Sequence, residues 1–299
     1  MNFEDDLPLP QLPDPRETPL PSIEPARDMS PATSAFEVAR SPGKFVPEDL
    51  RAPWGWIDLL LFVLIATAGT FVLGVLVFLG FMASGVTMSE LRASTRAQGI
   101  FNVVSEVFLF SGLIAYLALQ MRLRFRAPFW RTIGWRQLDA GAFPLAFRVL
   151  GFIAGGFLLA LIVQIASAVF GTKAKLPIEA LFEDRLTAAL MLLLAVLMAP
   201  LVEETIFRGY IYPVVARSFG RGVGVLVTGT LFGLLHAAQL WGGWTQIALL
   251  VFVGLALTYT RAVTRTVFAS YLVHLGYNFT VSIGFIVGSH WLSVLPRSS

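Results

Sequence analysis

Long apolar stretches separated by short polar or aromatic turns make up most of the chain after residue 50. About 20 predominantly apolar residues are enough to cross the hydrocarbon core of a bilayer as an α-helix. The pattern predicts about seven such spans, at residues 57–82, 99–121, 149–170, 187–214, 222–240, 246–259 and 266–288. We therefore expect an all-α polytopic integral membrane protein in which the last four helices form one core.

Two of these spans have features that predict their packing. The fourth is longer than a bilayer requires and is expected to tilt or bend at Pro200, because proline lacks the backbone N–H that a helix needs. In the third, Gly151 and Gly155 form a small-xxx-small pair that would let another helix approach closely. Trp241 and Trp244 flank a two-glycine turn after the fifth span, where interfacial aromatics are expected.

The polar parts of the chain divide it into three regions. Residues 1–50 are rich in proline, serine and acids and lack helical periodicity, so we expect a disordered tail. Residues 51–186 hold the first three spans and a basic connector between the second and third. Residues 187–290 hold the last four spans. The connector carries six arginines, which would lie on an anionic cytoplasmic leaflet: Arg122, Arg124, Arg126, Arg131, Arg136 and Arg148.

Composition narrows the class of protein. With 56% hydrophobic and 14% charged residues, the chain belongs among membrane proteins surrounded by lipid. The absence of cysteine excludes disulfides, thiol nucleophiles and cysteine-ligated metals. No aromatic-basic nucleic-acid motif is present, so nucleic acid is not an expected partner. Lysines and arginines near the span ends favour a cytoplasmic N-terminus by about two to one.

Two adjacent acids, Glu203 and Glu204, lie inside the apolar fourth span, and no other acid follows Asp184. A charge near the bilayer centre costs at least about 2.5 kcal/mol, so such residues usually face a polar interior and serve a function. Residues four apart share one face of a helix, which makes Glu204 and Arg208 the natural ion pair. Glu203 would then project elsewhere and act as the reactive base.

Two further spans offer partners for Glu203. His236 lies in the fifth, and His274 and Asn278 are four residues apart on one face of the seventh. Each of these residues is expected inside a span, at a depth similar to that of Glu203. Glu106 in the second span could line a polar cavity, but its position near the start of the helix favours snorkelling or a structural hydrogen bond.

Hydrolysis of a peptide bond by activated water fits this set of residues. A glutamate can take the proton of water, a histidine can share in that transfer, and histidine or asparagine donors can stabilise an oxyanion. The same Glu203, His236 and His274 could instead bind a divalent metal such as Zn²⁺. The His-Glu-x-x-His motif of ordinary zincins is absent. Structural clamps and proton-relay or transport sites use the same residue types, so both alternatives stay open.

Three motifs resemble those of the CAAX protease and bacteriocin-processing (CPBP) family, whose members include the type II CAAX prenyl endopeptidases. They are the Glu-Glu-x-x-x-Arg motif at 203–208, the Phe-x-x-x-His motif at 232–236 and the His-x-x-x-Asn motif at 274–278. The resemblance covers roughly residues 187–288 and extends loosely to Ile133-Gly134-Trp135-Arg136.

The resemblance implies an intramembrane endopeptidase in which Glu203 and His236 activate water. His274 and Asn278 would then form the oxyanion site, with Glu204 and Arg208 in support. The implied substrate is a membrane-associated protein or peptide. Eukaryotic members act on prenylated CAAX proteins, while bacterial relatives process peptides or protect against bacteriocins. The expected location is a bacterial plasma membrane. A non-catalytic immunity or scaffold protein, or a proton-coupled transporter, is the alternative.

Overall fold

The computed structural model describes residues 46–139, 141–170, 179, 182–290 and 292, and all regular structure among them is helical. The part of the predicted disordered tail that ends at residue 45 lies outside the described residues. A short 3₁₀ helix, Glu48–Leu50, precedes the bundle. The other helices are α1 Trp56–Ala83, α2 Met88–Ala93, α3 Thr95–Leu123, α4 Phe129–Thr132, α5 Leu145–Phe170, α6 Arg185–Leu197, α7 Ala199–Glu204, a π-helical segment Thr205–Ile211, α8 Tyr212–Phe219, α9 Arg221–Leu235, α10 Trp244–Thr264 and α11 Val267–Gly288.

Among the described residues, six helical stretches are long and apolar enough to cross a membrane, which indicates an integral membrane protein. They are α1, α3, α5, the continuous run Arg185–Phe219, α10 and α11. The fifth predicted span corresponds to α9, which has only 15 residues. The expected all-α polytopic fold is confirmed, and its fifth predicted span is shorter than the sequence pattern indicated.

The fourth span changes helical geometry twice along its length. Asp184 caps its N-terminus, where one carboxylate oxygen accepts from the backbone N–H groups of Leu186 and Thr187. The α-helix is then interrupted at Met198, two residues before Pro200, which is where the sequence predicted a bend. After Glu204 the helix widens into the π-helical segment. Single π-turns inside α-helices are often found at functional sites.

The basic connector between α3 and α5 packs directly on the π-helical segment. A methyl group at Gly209 would lie 2.4 Å from Cγ2 and 2.8 Å from the carbonyl oxygen of Ile133. The Trp135 indole N–H donates to the Thr205 hydroxyl at 3.0 Å, and the backbone N–H of Val267 donates to the Gly134 carbonyl. The connector therefore joins the π-helical segment to the start of α11, in addition to carrying the arginines that the sequence analysis predicts at the membrane surface.

Two helix pairs approach closely through glycines. In α9 and α10, methyl groups at Gly233 and Gly254 would meet backbone atoms of the opposite helix at 2.6 and 2.3 Å. In α5 and α11, a methyl group at Gly156 would lie 2.0 Å from the Val273 carbonyl oxygen. The predicted role of Gly151 and Gly155 was wrong, because no atom of another helix lies within 4 Å of a methyl group at either one.

Residues 46–54, which we call the N-terminal belt, pack against the end of the bundle that carries Arg221 and Arg261. Asp49 is buried and contacts two arginines, with its carboxylate 2.8 Å from Arg221 Nη2 and 3.4 Å from Arg261 Nη1. The indole of Trp54 stacks on Tyr210 and donates to the Tyr210 carbonyl oxygen at 2.8 Å. The belt is therefore fastened to α9, α10 and the π-helical segment.

The fifth span ends earlier than predicted, so His236 is not inside a helix. It is the C-cap of α9, and residues 236–242 form turns. Its ring Nδ1 lies 2.9 Å from the Phe232 carbonyl oxygen, the group that its own backbone N–H would bind in a continuing helix. That N–H binds the Gly233 carbonyl instead, at 3.2 Å. This side-chain bond competes with the helical ladder and accounts for the early end of the helix.

Candidate active site

The predicted Glu204–Arg208 ion pair is present and lies entirely within the protein. Arg208 Nη1 is 2.9 Å from Glu204 Oε1, and both side chains have no exposed surface. The rest of the guanidinium is fixed by α10, where Nε donates to the Thr258 hydroxyl at 3.2 Å and Nη2 to the Gly254 carbonyl at 2.8 Å. Arg208 therefore has little freedom to do more than hold Glu204 in place.

His274 connects this buried pair to the second carboxylate. Its Nδ1 lies 2.9 Å from Glu204 Oε1, and its Nε2 lies 3.7 Å from Glu203 Oε2. Because Glu204 is paired with Arg208, its oxygen acts as an acceptor and Nδ1 of His274 carries the proton. The ring also packs edge-on against Phe232, with centroids 5.6 Å apart. The orientation of His274 is thus fixed on two sides, and Nε2 faces Glu203.

His236 approaches Glu203 from the other side. Its Nδ1 faces the Phe232 carbonyl, which can only accept, so the ring proton lies on Nδ1 and Nε2 carries a lone pair in the neutral form. Nε2 lies 3.8 Å from Glu203 Oε1. The side chains of His236 and Glu203 are 25% and 18% exposed, compared with 3% for His274. Glu203 therefore lies between a solvent-accessible imidazole and a buried one.

The short length of α9 accounts for this exposure. Fifteen residues of α-helix extend about 22 Å, whereas the hydrocarbon core of a bilayer is about 30 Å thick. The turns that begin at His236 would therefore lie at membrane depth. Irregular backbone is tolerated there only when it is buried in protein or lines a water-filled cavity. A water-filled approach to His236 and Glu203 satisfies this requirement.

Asn278 lies one helical turn beyond His274 but makes a different contact from the one expected. Its side-chain Nδ2 donates to the Ala195 carbonyl oxygen at 2.7 Å. This bond attaches α11 to α6 just before the interruption at Met198. One amide hydrogen is used in this way, and the second hydrogen on Nδ2 is the one that a substrate oxygen could accept.

Glu106 belongs to the electrostatic environment of the site, although the sequence favoured a structural role for it. Its carboxylate interacts electrostatically with both Glu203 and His236. It lies on the face of α3 that packs on the fourth span, seven residues after Gly99, whose close neighbour is Thr187. The signal that could have identified it is a carboxylate within an apolar span, a feature that was outweighed by its nearness to the helix start.

The two imidazoles and the Glu203 carboxylate need a hydrogen donor between them. Two imidazole Nε2 atoms and a carboxylate are all acceptors when both rings are neutral, and separations of 3.7 and 3.8 Å exceed direct hydrogen bonds. A water molecule can donate to two of the three groups. Protonation of either imidazole would supply another donor.

As they are placed, the same atoms are slightly farther apart than the ligands of a zinc ion. Zn²⁺ bonds of about 2.0–2.1 Å put neighbouring ligands of a tetrahedral site about 3.3–3.4 Å apart. Both separations from Glu203 are longer. Within the described parts of the chain, no group of three or more histidine or acidic side chains is arranged to hold a metal ion.

One comparison with known proteins gave a match, and it covers the part of the chain that contains these residues. A family model for type II CAAX prenyl endopeptidase Rce1-like proteins matches residues 185–280. The matched segment begins with α6, ends within α11 and contains all six residues that the sequence nominated: Glu203, Glu204, Arg208, His236, His274 and Asn278. No curated protein and no solved structure gave a significant match to the chain.

Proposed function

We propose that this chain hydrolyses a peptide bond within the membrane, with Glu203 as the general base, because its residues 185–280 match the family model of type II CAAX prenyl endopeptidase Rce1-like proteins. The observation that carries the proposal is the position of the Glu203 carboxylate between two imidazoles, 3.8 Å from Nε2 of His236 and 3.7 Å from Nε2 of His274. A water bound there would be within reach of all three groups.

In the proposed reaction, Glu203 accepts a proton from this water while the water oxygen attacks the substrate carbonyl carbon. His236, on the solvent-accessible side, hydrogen-bonds the same water and orients it. The proton held by Glu203 then passes to the nitrogen of the breaking peptide bond, which leaves as an amine. A positioned acid–base group of this kind typically contributes about 10²–10⁴-fold to a rate.

The oxyanion formed by the attack needs a donor on the buried side. Glu204 is held by Arg208 and accepts the Nδ1 hydrogen of His274. With a proton on Nε2 as well, the imidazole can donate a hydrogen bond to the oxyanion. The second hydrogen on Asn278 Nδ2 is the other candidate donor. A donor placed at the developing negative charge is worth about 10²–10³-fold in kcat.

The proposed substrate is a membrane-associated protein or peptide that enters as an extended segment, and prenylated CAAX-type proteins belong to this class. The proposal includes a bacterial plasma membrane location with a cytoplasmic N-terminus, because the arginine-rich end of the bundle would then face the anionic leaflet. Since the chain has no cysteine, single cysteines introduced in the 122–128 and 241–244 segments can report the orientation. Labelling of the first only from the cytoplasmic side is the expected result.

The catalytic proposal is tested with quenched-fluorescent peptides, prenylated and unprenylated, and purified Glu203→Gln protein. Glu90→Gln is the matched control, since Glu90 is an exposed acid on the short helix α2. We expect Glu203→Gln to lose at least about 100-fold in kcat and Glu90→Gln to keep it. Equal turnover in both variants would overturn the assignment of the base. The scaffold alternative would be supported if the parent protein cleaves neither the prenylated nor the unprenylated peptides and Glu203→Gln still protects against a bacteriocin.

A divalent metal such as Zn²⁺ held by Glu203, His236 and His274 is the competing proposal for how water is activated. It would require the two imidazoles to move closer to Glu203 than the structure places them. Turnover that is lost with a zinc chelator and restored by added Zn²⁺ would favour the metal. Turnover unchanged by the chelator would favour the glutamate alone.

A further inference from the structure

The two carboxylate oxygens of Glu204 differ in their hydrogen bonds. Oε1 accepts from Arg208 Nη1 and from His274 Nδ1, each at 2.9 Å. Oε2 is buried and has no hydrogen-bond partner among the described residues. A buried charged acceptor without a donor costs at least about 1–3 kcal/mol. The ion pair that orients His274 is therefore incomplete unless another donor can turn toward Oε2.

Ser270 is placed to supply that donor. It lies four residues before His274, and hence on the same face of α11, and its side chain has no exposed surface. His274, one turn further along that face, already binds Oε1 of Glu204, so the Ser270 hydroxyl lies beside the same carboxylate. It donates its hydrogen to the Val267 carbonyl at 3.0 Å. A serine hydroxyl has one hydrogen, so it can serve either acceptor, and a rotation of the hydroxyl changes from one to the other.

We propose that Ser270 is a positioning residue of the active site, whose hydroxyl exchanges between the Val267 carbonyl and Glu204 Oε2 in the resting protein and donates to Oε2 during the reaction. This inference rests on the proposed peptidase function. An ionised carboxylate is a stronger acceptor than a backbone carbonyl. The Glu204 carboxylate is therefore the favoured partner of the hydroxyl once the hydroxyl turns toward it.

The effect of Ser270 reaches the substrate through Glu204 and His274. With Oε2 satisfied, Glu204 keeps its full negative charge on the side that faces His274, and the imidazole keeps Nε2 directed at Glu203. Because the oxyanion exists only in the transition state and the following intermediate, loss of this support should lower kcat and leave KM nearly unchanged.

The kinetic test compares Ser270→Ala with Ser270→Thr and Ser282→Ala. Ser282 is another buried serine on α11, three turns further along, which makes it a matched control for loss of a buried hydroxyl. We expect Ser270→Ala to lose roughly tenfold in kcat, which corresponds to about 1.4 kcal/mol. Ser270→Thr, which keeps a hydroxyl, should recover most of this loss, and Ser282→Ala should match the parent. Equal kcat values for Ser270→Ala and Ser282→Ala would overturn the inference.

A spectroscopic arm separates this inference from the proposed function, because it needs no substrate. The chain has three histidines, so ¹⁵N-histidine NMR signals can be assigned by single substitutions. We expect the His274 Nδ1–H signal to shift in Ser270→Ala and to stay in place in Ser282→Ala. A shift in protein that cleaves no peptide would support the Ser270 contact while the peptidase proposal fails. An unchanged signal in Ser270→Ala would overturn the contact, whatever the activity.

Discussion

The contact between Gly209 and the connector predicts that a single added methyl group destabilises the protein. In Gly209→Ala, the new Cβ would lie 2.4 Å from Ile133 Cγ2 and 2.8 Å from the Ile133 carbonyl oxygen. The first atom can move with its side chain, but the second is backbone, and the turn beside it is fixed by Gly134 at φ 96°. Overpacking of this kind costs about 1–3 kcal/mol. It outweighs the gain of up to about 1 kcal/mol that alanine brings to a helix.

Gly112 provides the matched control, because it lies within α3 and a methyl group there meets no atom within 4 Å. Thermal unfolding in detergent should place Gly209→Ala below the parent and Gly112→Ala at or above it. With about 2–4 °C per kcal/mol for a chain of this size class, the expected fall is several degrees. Because Ile133 is a core residue, Ile133→Ala is itself destabilising. The double variant with Gly209→Ala should nevertheless lose less than the sum of the two single losses, since it removes the closer of the two contacts. A Gly209→Ala protein as stable as Gly112→Ala would refute the tight packing of the connector on the π-helical segment.

Two other substitutions test contacts around the site. Trp54→Phe keeps an aromatic ring against Tyr210 but removes the indole donor to the Tyr210 carbonyl, so the melting temperature should fall by a few degrees for a bond of about 1 kcal/mol. Trp56→Phe, which loses a hydrogen bond at a ring that is 49% exposed, should melt within about a degree of the parent. Glu106→Gln should lower kcat/KM roughly two- to tenfold, because it removes a charge that interacts with Glu203 and His236; a value equal to the parent's would exclude Glu106 from the site.

The helices of this protein were predictable because the bilayer imposes a strong length and polarity constraint on each span. The Glu204–Arg208 pair was predictable for a similar reason, since two opposite charges four residues apart in an apolar helix have few other partners. The motif residues were nominated from their spacing, which is also a local pattern. In each case the deciding interaction is local in the sequence.

The features that sequence reasoning missed depend on contacts between distant segments. His236 ends its helix because its ring binds the Phe232 carbonyl, and an apolar pattern that runs on to residue 240 gives no indication of this. Asn278 is directed at Ala195 by the way α11 crosses α6. The close contact of α5 with α11 is made by Gly156, although Gly151 and Gly155 match the usual spacing. Periodicity identifies which residues are small or polar, but the crossing angle of two helices decides which of them meet.

The N-terminal belt makes a contact that an isolated fragment of the matched family segment would lack. Residues 185–280 contain every nominated site residue, yet Arg261, which is 1% exposed, has its counter-charge on Asp49, more than 130 positions before the segment begins. A fragment cut at residue 185 would leave this guanidinium uncompensated in the interior, a defect that costs about 3–5 kcal/mol in comparable buried pairs. The boundary of sequence similarity is therefore not the boundary of the folding unit, and a transplanted or minimised version of this domain would have to carry its own substitute for Asp49.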